Sequence, residues 1–310
     1  MKKPICPQSE PTPNLAPDFL LIVFALILAL FGALNGLIAQ NFKHFSIPEG
    51  LPGKNVNSLL EDEAGNIIIG TGSGVVSYDG YTCTPILPQG ATSQLSDQFW
   101  VLCMMFDKSG NLWVGTLDRG LLFKAKNSSV LTTDHRVPIE YTNKSISSLT
   151  LDKAGRIWMV MLERNLLVRF DPETGETKLV ELKHGDNVQK GRGCHSVTYD
   201  PTRNQVWVSF DLVYLAAFDA NSIEQVAEKE IKGIDPVKLD YRQTFMHISP
   251  DDKLWISTYG SSMYQLDLKT KELVHFPSKN SKGFPGSEML RDFFIDKDGV
   301  LARMLPCLKK

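Results

Sequence analysis

Acidic, basic and aromatic side chains occur in short variable runs between stretches of β-branched and apolar residues. Carboxylates and guanidinium groups can bind sugar hydroxyls, and aromatic rings can stack on sugar faces. The same residues are also ordinary in exposed loops, and for the arginines and the glutamate the solvated or ion-paired role is favoured. The candidate ligand-binding residues are Asp118, Arg119, Glu163, Arg164, Arg192, His195, Asp211, Arg242 and Tyr259.

Catalytic motifs are absent from the sequence, which contains no GxSxG elbow, no HExxH and no P-loop. His195 follows Cys194, but no second histidine has a metal-ligand spacing, and Asp251 with Asp252 is typical of a turn. We therefore predict no metal, no cofactor and no enzymatic activity. An exported enzyme acting on glycans or small molecules, a lyase or a hydrolase, is the alternative, and a protein-interaction module is a third possibility.

A repeated segment positions these runs. One position, tryptophan in four copies, recurs with separations of 45, 45, 49, 48 and 47 residues. Four copies have an aspartate six residues before this position and a glycine three residues before it, and this pair predicts a tight turn. In the fourth and fifth copies, Asn204 and Asp252 stand at the position of the glycine. The repeated position is Ile68, Trp113, Trp158, Trp207, Trp255 and Ala302, and the turn pairs are Asp62 and Gly65, Asp107 and Gly110, Asp152 and Gly155, and Asp296 and Gly299.

Each repeat has room for about four short antiparallel strands, which is typical of a blade of a β-propeller. We predict an all-β propeller over residues 40–310, with five full blades and a partial sixth, in what could be an incomplete seven-bladed ring. The predicted units are 50–86, 95–137, 144–184, 193–230, 242–278 and, in part, 287–310.

The two ends of each predicted blade carry different segments, repeated turns at one end and variable loops at the other. The Asp/Gly turns lie at one face, whereas the loops between second and third strands, such as 71–74, and the links between blades open at the other. The candidate ligand-binding residues are expected at this second face. Trp100 is expected in the core, because FWVLCMMF is typical of a buried inner strand.

The sixth copy ends without its second hairpin, as the chain reads ARMLPCLKK after Leu301. Either the last sheet is deficient, or the sequence is the front portion of a longer protein. We favour the second explanation, because an open ring exposes apolar surface and unpaired strand edges.

The first 39 residues differ from the rest. Lys2 and Lys3 precede an uncharged apolar run over residues 19–39 that ends in Leu37-Ile38-Ala39. A cleaved export signal is favoured over a retained membrane anchor, so a periplasmic location is expected, with inner-membrane anchoring as the alternative. The apolar run is expected to be helical and to engage the membrane or the export machinery.

Charge and cysteine content give no further site. The formal net charge is -2, which favours no nucleic-acid partner. The five cysteines show no CxxC or Cys/His metal spacing, and they are interpreted as scattered small residues, with Cys6 lost alongside a cleaved signal.

Residues GLPGKNVNSLLEDEAGNIIIGT and GNLWVGTLDRGLLF resemble two-component regulator propeller repeats. Such repeats form the periplasmic sensor portion of hybrid two-component histidine kinases in gut bacteria, many of which respond to oligosaccharides. The resemblance implies an oligosaccharide-responsive sensor portion without the kinase, in which kinase activity belongs only to full-length relatives. It also implies homodimerisation through downstream regions.

Overall fold

A computed structural model describes residues 46–91, 97–133, 144–161, 165–182, 194–210, 214–230, 244–258, 262–277, 292–295 and 301–304. The predicted N-terminal helix, the Asp296/Gly299 turn and the residues after Met304 lie outside these ranges. Within them, no helix has the length and apolar character needed to cross a membrane.

Four-stranded antiparallel sheets follow one another along the chain, after a short 3-10 helix at Ile47–Glu49. We call them blades 1 to 5. Blade 1 contains β1 (Val56–Glu61), β2 (Ile67–Thr71), β3 (Gly74–Tyr78) and β4 (Cys83–Pro88), and blade 2 contains β5 (Val101–Phe106), β6 (Leu112–Thr116), β7 (Leu121–Lys124) and β8 (Val130–Thr133). Blade 3 contains β9 (Ile146–Leu151), β10 (Ile157–Met161), β11 (Leu166–Phe170) and β12 (Thr177–Glu181).

The later blades continue this order. Blade 4 contains β13 (Cys194–Asp200), β14 (Gln205–Phe210), β15 (Tyr214–Asp219) and β16 (Gln225–Glu230), and blade 5 contains β17 (Thr244–Ser249), β18 (Lys253–Thr258), β19 (Ser262–Asp267) and β20 (Leu273–Pro277). A two-stranded sheet, β21 (Asp292–Ile295) with β22 (Leu301–Met304), follows. The predicted all-β propeller architecture of four-stranded blades is confirmed.

The repeated position pairs with the residue eight places earlier in five of the six copies, and the exception is Trp207, which pairs with Thr198 nine places earlier. Trp113 pairs with Met105, Trp158 with Thr150 and Trp255 with His247, each between the first two strands of its blade. Ala302 pairs with Phe294 in the last hairpin, also eight residues earlier. The alignment inferred from the sequence therefore extends to the sixth copy.

In blades 1 to 4 the residue at the repeated position packs forward, onto the next blade. Ile68 joins a buried cluster with β5 and β6, Trp113 with blade 3, Trp158 with blade 4 and Trp207 with blade 5. The three tryptophans are at most 1% exposed, whereas Trp255 is half-buried and stacks on Phe276. The blades therefore share their cores pairwise, and the tryptophan supplies the bulk at each junction.

The aspartates of the tight turns fix the tryptophans as well as the backbone. Asp107 Oδ1 accepts hydrogen bonds from the backbone N–H groups of Ser109 and Asn111, and Oδ2 accepts one from Trp113 Nε1 at 2.9 Å. Asp152 does the same for its own turn and for Trp158 Nε1, also at 2.9 Å. The sequence predicted the turn but not the bond to the indole.

Left-handed backbone occurs where the sequence predicts it. Gly65, Gly110 and Gly155 have φ values of 82°, 78° and 90°, and Asn204 and Asp252, which replace glycine, have φ values of 54° and 64°. The fourth copy differs in one respect. Trp207 Nε1 has no hydrogen-bond partner among the described residues, because the matching aspartate, Asp200, binds Arg203 Nη1 instead.

The first strands of neighbouring blades lie side by side and carry a β-bulge at one repeat position in blades 1 to 4. Next to the bulge, a small side chain bonds to the following blade. Cys103 Sγ donates to Ile146 O at 3.5 Å, Ser148 Oγ accepts from Val197 N at 3.2 Å, and Ser196 Oγ accepts from Met246 N at 3.2 Å. Burial raises the pKa of the Cys103 thiol, so it remains the protonated donor.

Blades 1 and 2 are also joined at their outer edges. The outer strands β4 and β8 pair in parallel, with Leu87 opposite Val130 and Pro88 opposite Leu131, and this pairing unites the two blades in one eight-stranded sheet. The sequence analysis did not anticipate this connection. It covers two outer edges that would otherwise expose unpaired backbone groups.

Close approach between blades requires a glycine on β6. A β-carbon on Gly115 would lie 2.5 Å from Cys103 Sγ and 2.9 Å from the backbone oxygen of Ile146 in blade 3. We expect Gly115→Ala to lower the free energy of unfolding by about 1–3 kcal/mol, because the added methyl group overpacks this junction. Urea unfolding measures the change, with Gly72→Ala as the control, since its nearest contact would be 3.4 Å. Equal losses in the two variants would contradict the assignment.

Candidate ligand-binding face

In blades 1 and 2 the loop between the second and third strands lies at the end opposite to the Asp/Gly turn. In blade 1, Val56 at the start of β1 pairs with Thr71, next to this loop, whereas Glu61 pairs with Ile67 beside the turn. Blade 2 repeats the arrangement, with Val101 opposite Thr116. We call the end that carries these loops the loop face.

Threonine hydroxyls shape the first two loops of this face. Thr71 Oγ1 donates to Gly74 O at 3.0 Å and accepts from Ser73 N, and Thr116 Oγ1 donates to Gly120 O at 2.8 Å and accepts from Arg119 N. Both threonines are fully buried. The two loops therefore have the same support and differ in the side chains that they present.

Trp100 is not a core residue, and the prediction that placed it in a buried inner strand is wrong. Strand β5 begins one residue later, at Val101, and Trp100 is 39% exposed. A β-carbon on Gly72 would lie only 3.4 Å from Cε2 of the Trp100 ring, so the indole rests against this glycine of the blade 1 loop. The error arose because a run of apolar residues does not reveal where its strand begins.

Arg119 is held by the link that precedes β5. Its Nη2 donates to Asp97 Oδ1 at 2.7 Å and to the backbone oxygen of Gln98 at 3.3 Å, and its guanidinium carbon lies 5.5 Å from the centre of the Phe99 ring. This is the ion-paired role that the sequence analysis favoured for it. Asp118, the neighbouring residue, is exposed and free of such bonds among the described residues.

His195 occupies a different environment from the other candidates. It lies at the bulge of β13 and is 6% exposed, so it is part of the blade 4 interior. Among the described residues, no group of three or more His, Cys, Asp or Glu side chains could hold a metal ion. The remaining candidates, Glu163, Arg164, Arg192, Asp211, Arg242 and Tyr259, lie outside the described ranges, and their ligand-binding role stays a prediction.

Blades 1 and 2 therefore present one continuous patch at the loop face. It comprises Gly72, Trp100, Leu117, Asp118 and the Arg119–Asp97 ion pair, and we call it the Trp100 patch. Leu117 is 38% exposed, and its N–H donates to the backbone oxygen of Trp100 at 2.9 Å. Sequence analysis found Asp118 and Arg119 but missed Asp97 and the exposed ring. The patch can stack on a flat apolar surface and bind polar groups around it.

The family model described as two component regulator propeller matches residues 50–73 and 94–118. The first match includes β1 and β2 and ends in the loop after β2, and the second includes β5 and β6 and ends in the loop after β6. These two segments of the chain are similar to two component regulator propeller repeats. The resemblance inferred from the sequence is thereby confirmed. No curated protein matches the sequence.

Solved structures share the fold of these repeats. Two structures of an extracellular domain from B. thetaiotaomicron, described as part of a one component system and of a hybrid two component system, have 19% and 18% identity and TM-scores of 0.53 and 0.56. The matches cover 80% and 81% of this chain but only 36% and 37% of those domains. The chain thus spans little more than a third of their length.

A virginiamycin B lyase from Staphylococcus aureus has a similar fold, with a TM-score of 0.58 at 13% identity. This match covers 84% of the chain and 87% of the lyase. At such identities the similarity of the repeats to all of these structures concerns the fold alone.

Proposed function

We propose that this chain is the ligand-sensing propeller of an extracytoplasmic two-component sensor and that it responds to oligosaccharides. The observation that carries the proposal is the match of two component regulator propeller repeats to blades 1 and 2. Fold similarity to the extracellular domain of a hybrid two component system supports it. In this proposal the chain binds its ligand at the loop face and catalyses no reaction itself.

The loop face supports binding because its scaffold repeats while its side chains vary. Thr71 and Thr116 hold two loops in the same way, and the residues that follow them are Gly72-Ser73 in one loop and Leu117-Asp118-Arg119 in the other. Such variation on a repeated framework is typical of recognition surfaces. A location outside the cytoplasm, through the apolar N-terminal segment, is part of the same proposal.

A lyase is the second candidate, favoured by the shared fold with virginiamycin B lyase. An enzyme of this kind would need a catalytic acid or base on the loop face. Asp118 is the exposed carboxylate of the Trp100 patch, and it is the first residue to substitute if turnover is detected.

Calorimetry of the full chain with a panel of oligosaccharides tests the sensor proposal. We expect heat of binding with at least one oligosaccharide and no change in that sugar on prolonged incubation, as judged by chromatography. Binding accompanied by cleavage supports the lyase or hydrolase instead. If no oligosaccharide of the panel binds, an oligosaccharide-responsive sensor is the wrong assignment.

A further inference from the structure

We propose that Trp100 is a stacking platform for the ring of a neutral pyranose sugar, and that the Trp100 patch is a sugar subsite. This rests on the proposed oligosaccharide response and adds to it a position and a class of ligand. A pyranose presents a face of C–H groups that packs on an indole, while its hydroxyls project toward surrounding polar groups. The Trp100 patch offers both kinds of contact.

Trp100 differs from the three fully buried tryptophans of the repeat. Trp113, Trp158 and Trp207 are at most 1% exposed and fill the junctions between blades, whereas Trp100 lies one residue before a strand and keeps 39% of its surface open. An open indole loses the stabilisation of burial, and contact with a ligand would restore it.

The position of the ring is well defined before any ligand binds. Its indole rests against Gly72, whose own N–H donates to the backbone oxygen of Asn55 at 3.0 Å. The backbone oxygen of Trp100 accepts the N–H of Leu117 at 2.9 Å. Contacts from both blades therefore hold the platform, so little ordering is needed on binding. Exposed Leu117 extends the apolar surface.

The charges around the ring favour a neutral ligand. Arg119 is committed to Asp97 at 2.7 Å, so its positive charge is already compensated. The remaining charged neighbours in sequence are exposed Lys54, next to Asn55, and exposed Asp118, next to Leu117, and their charges are opposite. Because the described residues around the ring include no cluster of uncompensated cations, they give a uronic acid or a sulfated sugar no net attraction.

The test uses the full chain and three variants, Trp100→Ala, Arg119→Gln and Tyr81→Ala. Tyr81 is the matched control, because it is an aromatic residue of blade 1 with 89% exposure and lies in the β3–β4 turn, at the end opposite to the loop face. The probes are cellohexaose, xylohexaose, maltohexaose and galactotetraose as neutral sugars, and oligogalacturonate and a heparin hexasaccharide as acidic ones. Calorimetry gives the affinity, and tryptophan fluorescence of the same samples gives the environment of the ring.

We expect a neutral probe to bind and to shift the tryptophan emission to shorter wavelength. Trp100→Ala should weaken this binding at least tenfold and abolish the shift, and Tyr81→Ala should change neither. Arg119→Gln should weaken binding less than Trp100→Ala, since the arginine only braces the patch. Circular dichroism confirms that each variant keeps the strand content of the parent.

The possible results separate the two proposals. A neutral sugar that binds Trp100→Ala as tightly as the parent overturns the platform and leaves the oligosaccharide response intact. Binding of acidic probes alone overturns the neutral class. No binding of any probe by the parent overturns both proposals, whereas equal losses in Trp100→Ala and Tyr81→Ala show a general effect of removing surface aromatics and also overturn the platform.

Discussion

Trp158→Ala is expected to lower the free energy of unfolding by about 3–5 kcal/mol, the usual cost of truncating a large buried aromatic residue. Trp158 is completely buried and joins the core between blades 3 and 4, where it meets residues such as Val197, Val208 and Phe218. Loss of the ring leaves a cavity at this junction. It also removes the hydrogen bond to Asp152 Oδ2. Urea unfolding of the full chain, followed by circular dichroism, measures the effect.

Trp255→Ala provides the matched comparison, because this tryptophan occupies the same repeat position and is only half-buried. We expect a smaller loss of about 1–2 kcal/mol, in proportion to the apolar area it covers. If Trp255→Ala lowers the free energy of unfolding as much as Trp158→Ala, forward packing does not determine how much these tryptophans stabilise the fold.

Asp152→Ala is expected to lower the free energy of unfolding by about 3–5 kcal/mol, because it removes one partner of a buried ion pair. The Asp152 side chain is fully buried and accepts four hydrogen bonds, from the backbone N–H groups of Ala154 and Arg156, from Arg156 Nε at 2.7 Å and from Trp158 Nε1 at 2.9 Å. The substitution leaves both side-chain donors without their carboxylate. The same urea experiment gives the size of the effect.

Asp62→Ala is the control for this second prediction. Asp62 accepts from the backbone N–H groups of Ala64 and Asn66 and from Asn66 Nδ2, but it has neither an indole nor a guanidinium partner and is partly exposed. We expect a loss of about 1–2 kcal/mol, typical of removing a turn-capping side chain. If the free energy of unfolding falls by the same amount in both variants, the buried contacts of Asp152 add nothing to the stabilisation that a turn-capping aspartate provides.

The repeat made the fold predictable from the sequence. The spacing of the tryptophans and of the Asp/Gly turns fixed the register, so Trp113, Trp158 and Trp207 could be assigned to the core without a structure. Local turn chemistry was equally clear, since Asn204 and Asp252 are among the residue types that tolerate positive φ. These features depend on short stretches of chain, within which sequence alone carries the necessary information.

Features that join separate blades were not predictable in this way. The parallel pairing of Leu87 with Val130 depends on how two blades sit side by side, and no local pattern encodes it. The exposure of Trp100 depends on where β5 begins and on Gly72 in another blade. The candidate site was therefore predicted in part. Asp118 and Arg119 emerged as variable positions in the repeat, whereas Asp97 and the open indole emerged only from the structure.

At the junctions between blades 2 and 3 and between blades 3 and 4, forward packing of the repeated tryptophan gives the two successive copies different parts. One copy supplies the ring and the aspartate that holds it, as Trp158 and Asp152 do, and the following copy supplies the apolar surface that receives the ring. A duplicated copy thus brings both a ring for its successor and a surface for its predecessor. Arrays of such copies can lengthen by duplication without inventing a new interface, and the loop residues of each added copy are then free to diverge.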